Sequence, residues 1–205
     1  MEFIKSFLIT VFLGFSLLGQ AQYGEPVLKA FENSYAAEKN GDYKKAASLL
    51  KNVYQGNSYE FNLRLGWLSY KSGVFDDSET YYRKALEILP YSEEARHGLI
   101  LPLSARGKWS EVIEVYEQIL VNNPGSTVTL YRLGMVHYNR KEWLQAIRHF
   151  QKVVDLYPFD YDGLLMLAWT NLQLGKTREA KVLFNKVLLY SPGDKSALEG
   201  LELLR

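Results

Sequence analysis

The 205-residue chain contains no cysteine. That absence excludes disulfides, thiolate-held metals, thiol catalysis and a lipid carried on an N-terminal cysteine. Histidine is nearly as scarce: His97, His137 and His149 are the only three, and no two are spaced i, i+4 as a helical metal pair would be. The chain also lacks a G-x-S-x-G elbow, a G-x-x-x-x-G-K phosphate loop and a G-x-G-x-x-G dinucleotide turn. Nothing here points to an enzyme, and neither cofactor nor metal is expected. An excess of either charge is missing as well, since 24 Lys+Arg against 23 Asp+Glu leave +1. Without a concentrated basic patch, neither nucleic acid nor an anionic membrane is an expected partner. The charged runs "EKNGDYKK" and "FDDSE" read as solvated turns between helices.

Long hydrophobic runs are confined to the beginning. "MEFIKSFLITVFLGFSLLGQAQ" places Lys5 ahead of an apolar run from Phe7 to Leu18, then small residues at Gly19 and Ala21. This is the layout of a secretory signal peptide. The run is well short of the ~20 apolar residues that span a bilayer as a helix. Cleavage after Ala21 is therefore expected, giving an exported chain, periplasmic or secreted, with no stable membrane insertion afterwards.

What the chain has in quantity is repetition. Pro90, Pro124, Pro158 and Pro192 fall 34 residues apart, and two residues after each stands Ser92, Ser126, Asp160 or Asp194. These side chains suit helix N-caps, where an oxygen accepts from an unpaired N–H of the first turn. Ser58 extends the series one period earlier without its proline, while the first-to-second repeat spacing, Gly41 to Gly73, is 32 because the turn "YQGNS" lacks the proline and one neighbour. Each period then holds a helical stretch closing at Gly41, Gly73, Gly107, Lys141 or Gly175, four of them the residue suited to a left-handed turn. A second helix follows, with small-then-large pairs Ala46/Leu50, Ser78/Tyr82, Val112/Tyr116, Ala146/Phe150 and Ala180/Phe184 at i, i+4. Such pairs let two helices approach closely and interlock. Pro102 inside a first helix predicts a bend, since its ring crowds the carbonyl of Gly98.

This pattern resembles the tetratricopeptide repeat, with L-G, a G-x-aromatic turn, A-x3-F and proline in a 34-residue period. "LGWLSYKSGVFDDSETYYRKALEILP" and "LGMVHYNRKEWLQAIRHFQKVVDLYP" match it best. The departures are Asn33-Ser34 and Leu99-Ile100 where L-G is usual. The resemblance implies an all-α fold, a right-handed α-α superhelix or solenoid of helix-turn-helix units. It covers 27–192 as five repeats, at 27–58, 59–92, 93–126, 127–160 and 161–194, after a short linker at 22–26. Residues 195–205 read as a C-terminal capping helix with Leu198 and Leu201 inward.

At ~100° per residue, slots 4, 7, 8 and 11 of each first helix form the core stripe, leaving slots 2, 5, 6, 9, 12 and 13 on the opposite side. In the family this second set lines a concave groove where protein partners bind. Here slot 5 reads Phe31, Leu63, His97, Tyr131 and Leu165; slot 9 reads Tyr35, Trp67, Leu101, Met135 and Trp169. Tyr70 and Tyr138 stand at slot 12, and Arg64 and Arg132 at slot 6. Trp109 and Trp143 fall in the turn-aromatic slot and read as structural. A face needed only for solubility would be polar, and this one is apolar and aromatic. Three readings stand: a ligand groove, inner packing of a tight superhelix, or a self-association surface. Phe31, Tyr35 and Leu63 replace the polar residues of the family's acidic-tail clamp, so a peptide with apolar anchors fits better. Stacking of sugar rings on Trp67, Tyr70 and Trp169 is the other ligand these side chains would suit.

Overall fold

The computed structural model describes residues 23–205, and the expected signal peptide at 1–21 lies outside the described residues. Eleven helices fill those residues: α1 (Glu25–Lys39), α2 (Tyr43–Lys51), α3 (Tyr59–Lys71), α4 (Phe75–Ile88), α5 (Glu93–Ala105), α6 (Trp109–Asn122), α7 (Thr127–Asn139), α8 (Trp143–Leu156), α9 (Tyr161–Gln173), α10 (Thr177–Tyr190) and α11 (Lys195–Glu202). Each packs on the next, while α3 also touches α5 and α9 touches α11. The molecule is an all-α solenoid of stacked helix pairs, closed by the single helix α11.

The caps act as the residue types demand. Ser58, Ser92, Ser126, Asp160 and Asp194 each accept from the backbone N–H three residues on, at 3.3, 3.0, 3.4, 2.7 and 2.8 Å. The first helix of each pair ends in the left-handed region, with φ of 79° at Gly41, 77° at Gly73, 68° at Gly107 and 71° at Gly175, and 61° at Lys141. Lys141 alone must hold that conformation with a Cβ. Helix α1 starts at Glu25, inside the expected linker, with Pro26 in the first turn where its missing N–H does no harm. Helix α5 runs as one element through Pro102, which is buried.

The small-then-large pairs form the core. Ala46, Leu50, Ala146, Phe150, Ala180 and Phe184 are fully buried, and Tyr82 nearly so. The large member also reaches forward. A Cβ on Gly98 of α5 would lie 2.1 Å from the Tyr82 ring of α4, and one on Gly200 of α11 would lie 2.2 Å from the Phe184 ring of α10. At these two crossings only glycine leaves room for the aromatic ring. The capping helix therefore presents Ala197 and Gly200 inward; Leu198, expected to face in, is 47% exposed, because Phe184 needs a flat backbone surface there.

Two polar devices tie neighbouring units. Tyr23 and Tyr59 hydrogen-bond the caps Ser58 and Ser92, both at 2.7 Å, and the Tyr161 hydroxyl donates to the cap Asp194 at 2.6 Å. Each phenol thus reaches from one unit to the N-cap of the next. Glu93 and Thr127 hold the corresponding positions in the two middle units and supply no phenol. In the shortened "YQGNS" turn, buried Asn62 donates to the carbonyls of Gly56 and Ser58 and accepts from the Tyr54 hydroxyl. It holds a turn that elsewhere has a proline.

The His137 and His149 rings stack at 5.4 Å with 5° between their planes, and His137 Nδ1 sits 2.7 Å from Glu142. Burial, together with the charges of His137, Lys152 and Arg148, pushes His149 down from 6.5 to about 4. Between those two values the unfolded chain binds a proton at His149 that the folded chain refuses, so acidification across this window removes stability. Replacing His149 by Gln will flatten the fall of the thermal midpoint between pH 6.5 and 4 relative to the parent chain. Replacing Lys141 by Gly will raise unfolding stability by about 1 kcal/mol, read from the urea midpoint, because glycine carries no left-handed penalty.

Candidate functional site

The first helices α1, α3, α5 and α7 present the slots opposite the core stripe to a common cleft of about 730 Å³. Eight of the expected groove residues line it: Phe31, Tyr35, Leu63, Arg64, Trp67, His97, Leu101 and Arg132. The floor includes Tyr82 and Gly98, and the rim carries Tyr59, Glu60 and Glu94. Glu60 and Glu94 occupy slot 2, which the helical register already assigned to this face. Tyr82 was not foreseen there, because its slot on the second helix is a core slot.

At one end of the cleft the side chains are locked to one another. The Trp67 indole N–H donates to Glu38 at 2.6 Å. Glu38 also pairs with Arg64 through Nη1. The Arg64 guanidinium lies 3.8 Å from the centre of the Tyr35 ring, a cation–π contact that fixes its plane. Burial pushes the Glu38 carboxyl up, but the Trp67 and Arg64 hydrogen bonds and the charges of Arg64 and Lys71 outweigh it and hold the group below its ordinary value. Tyr35 is 56% exposed and forms an open lip. Further along, burial and the charge of Arg132 depress His97, against a smaller opposing effect of Glu93, so its imidazole is neutral near pH 7.

The remaining six expected residues do not line this cleft. Tyr70 packs beside Trp67 and Phe75, at ring separations of 6.1 and 5.8 Å. Tyr131, Met135, Tyr138, Leu165 and Trp169 pack against the C-terminal core built on Phe150, Leu164 and Phe184. Trp169 is edge-on to Phe184 at 5.2 Å, and its indole N–H donates to Ser196 of α11 at 2.9 Å. Trp169, expected on the groove face, fastens the capping helix. The two turn tryptophans differ from each other. Trp143 packs edge-on against Tyr138 at 4.8 Å, whereas Trp109 leaves 41% of its surface open. Inner packing thus describes the C-terminal half of this face, whereas in the N-terminal half Phe31, Leu63 and Trp67 pack on the core and also line the open cleft. Among the described residues no group of three His, Asp or Glu side chains could hold a metal ion, and no helix is long and apolar enough to cross a membrane.

Helix pairs in this register, with first helices lining a cleft, define an α-helical repeat protein. Family models described as tetratricopeptide repeat match residues 31–93, 128–160 and 162–194, together more than half of the chain. The chain belongs to the tetratricopeptide repeat family. The unmatched stretch between the first two segments contains one of the two departures noted in the sequence, Leu99-Ile100, and Pro102, whereas Asn33-Ser34 falls within a matched segment. A tetratricopeptide repeat protein from Parabacteroides merdae ATCC 43184 superposes with a TM-score of 0.75 at 20% identity, over 88% of this chain and 73% of that one. MamA, from residue 41 to its end, of Desulfovibrio magneticus RS-1 superposes with 0.70 at 20% identity, over 84% of this chain and 98% of that one. At such identities the likeness is one of fold. A comparison with curated proteins finds no match.

The different duties of the slot-9 side chains can be separated by substitution. Trp169→Ala will lower unfolding stability by about 2 kcal/mol, less than full burial would give because the ring is only partly buried, and will speed amide exchange throughout α11. Tyr35→Ala, at the open lip, will lower stability by less than about 1 kcal/mol, the scale of one solvent-facing cation–π contact. Urea denaturation and hydrogen exchange on the two variants read these outcomes directly.

Proposed function

We propose that this chain is a non-enzymatic scaffold that holds a protein segment with apolar or aromatic anchors in the cleft between α1, α3, α5 and α7. The observation that carries the proposal is the convergence of Phe31, Tyr35, Leu63, Trp67, His97 and Leu101, from three helices, on one open cleft of about 730 Å³. A pocket that is mostly apolar, with a few fixed polar groups, suits a peptide whose side chains supply burial and whose backbone or charged groups supply orientation. A sugar ligand would need broad aromatic faces. Tyr70 and Trp169 are turned to packing, and the Trp67 indole N–H is taken by Glu38. The peptide reading is therefore the stronger of the two.

The N-terminal sequence supports action outside the cytoplasm, in an envelope or secretion-related assembly reached by signal-directed export. The five-unit organisation rests on the period of the caps and of the left-handed turns. A second reading, self-association, draws on Leu198 and Leu203 at the C-terminal end, 47% and 65% exposed.

Panning a displayed library of random dodecapeptides against the purified protein tests the groove. The selected peptides will carry two or more aromatic or aliphatic anchors. Their affinity will drop at least about tenfold, ~1.4 kcal/mol, in a Tyr35→Ala, Leu101→Ser double variant whose circular dichroism matches the parent. Peptides that bind parent and variant alike remove the groove from the proposal. Light scattering on the same sample separates the two readings, since a stable dimer that is lost on Leu203→Ser substitution would favour self-association.

A further inference from the structure

The charges around the cleft are unevenly balanced. Arg64 is matched by Glu38. Glu60 and Glu94 line the same cleft, are exposed to solvent, and take part in no ion pair among the described residues. Their partners are uncharged hydroxyls. Glu60 accepts from Tyr23 and Ser58, both at 2.7 Å, and Glu94 accepts from Tyr59 at 3.3 Å. Such donors fix a carboxylate and leave its charge in place; the bonds from Tyr23 and Ser58 hold the Glu60 carboxyl below its ordinary value. The charge reaches the phenols around it. Burial, and then the charge of Glu94, pushes Tyr82 on the cleft floor up. Burial together with the charges of Glu94 and Glu60 raises Tyr59, against the opposing bond with Ser92. An acid is welcome in the first turn of any helix, and that accounts for Glu60 on α3 and Glu94 on α5 taken singly. It supplies no counter-ion for two carboxylates set on touching helices over one apolar cleft. Arg132, exposed on α7, lines the cleft as well, and His97 is neutral near pH 7. The cleft is therefore negative over α3 and α5 and positive at α7.

We infer that the cleft takes a peptide with a lysine or arginine among its apolar anchors, the cationic head lying between Glu60 and Glu94. This rests on the groove reading above and names the charge that reading leaves open. Both carboxylates keep their contact with water, so a cation meets them without a large desolvation cost. Long basic side chains also carry an apolar stem, which lies along apolar surface while the head stays wet. Leu63 stands one helical turn after Glu60 on α3 and offers that surface. A uniformly basic tail fits less well, because it would meet Arg132 and leave the walls at Phe31 and Leu101 uncovered. The fitting class is a single basic residue with hydrophobic neighbours, directed away from α7.

The probe is an array of nonapeptides, acetylated and amidated, each with a Phe and a Leu anchor flanking a central Lys, Gln or Glu, the anchor spacing varied. The parent protein is expected to retain central-Lys peptides about fivefold over their Gln partners, the scale of partly exposed ion pairs with two carboxylates. Central-Glu peptides are expected to be retained least. The preference for Lys is expected to shrink between about 0.1 M and about 1 M salt, as the Debye length falls from about 10 Å to about 3 Å. Glu60→Gln combined with Glu94→Gln keeps an accepting oxygen for each phenol and removes the charge, and is expected to bring Lys and Gln peptides level. Glu94→Lys is expected to reverse the order and favour the Glu peptides. Equal retention of Lys and Gln peptides by the parent, or a Lys preference that survives both changes, overturns this inference and leaves the apolar groove standing. Failure of the parent to retain any peptide of the array, at any spacing, overturns both.

Discussion

Everything in this molecule hangs on one repeated contact: a large side chain on the second helix of a unit lying flat against the backbone of a first helix. The room is made by removing a Cβ. Tyr82 lies between Gly66 of its own unit and Gly98 of the next, and Phe184 lies against Gly200. Phe150 does the same to Gly134, where an added Cβ would sit 2.7 Å from the ring. Such contacts bury apolar area and set how far apart neighbouring helices stand and how they rotate. An array whose units touch only their neighbours has no other source of shape. The position of every side chain in the cleft follows from that spacing.

Because the fold is periodic, its architecture was unusually legible. The caps, the left-handed turns and the small-then-large pairs are each set by local chemistry, and repetition removes the ambiguity that one copy would carry. The structure holds all of them, down to Lys141 in the place of a glycine. What was not legible depended on contacts across units. Leu198 looked inward because leucine usually is, but Phe184 needs Gly200 and Ala197 under it. Asn62 stands in a core slot and is fully buried, which composition alone would not suggest. Its polarity in that slot, four residues after the turn that lost its proline, was the available signal. Neither the phenol-to-cap bonds nor the Trp169–Ser196 bond could be read from helical register, since each joins residues about one period apart.

The groove illustrates the same limit. Register shows which side of each helix looks away from the core, and it selected fourteen residues without distinguishing among them. Eight line one cleft and six serve packing. The apolar slot residues of α7 and α9 pack onto the cluster around Phe150 and Phe184, and α9 also lies against α11, while most of those of α1, α3 and α5 line the cleft. Trp67 takes part in both. Its N–H is fixed by Glu38, and its ring remains on the cleft wall.

The phenols that reach from unit to unit are unevenly placed, and this has a mechanical meaning. They bind the first two junctions and the last, through Ser58, Ser92 and Asp194. The third and fourth junctions, where Glu93 and Thr127 replace tyrosine, are held without them. The array is thus two laced segments joined by an unlaced middle. Of the cleft-lining residues, Arg132 alone lies beyond that first unlaced joint, on α7. A segment lying along the cleft as far as Arg132 would bridge the seam, so the energy of holding it and the curvature of the solenoid become a single quantity.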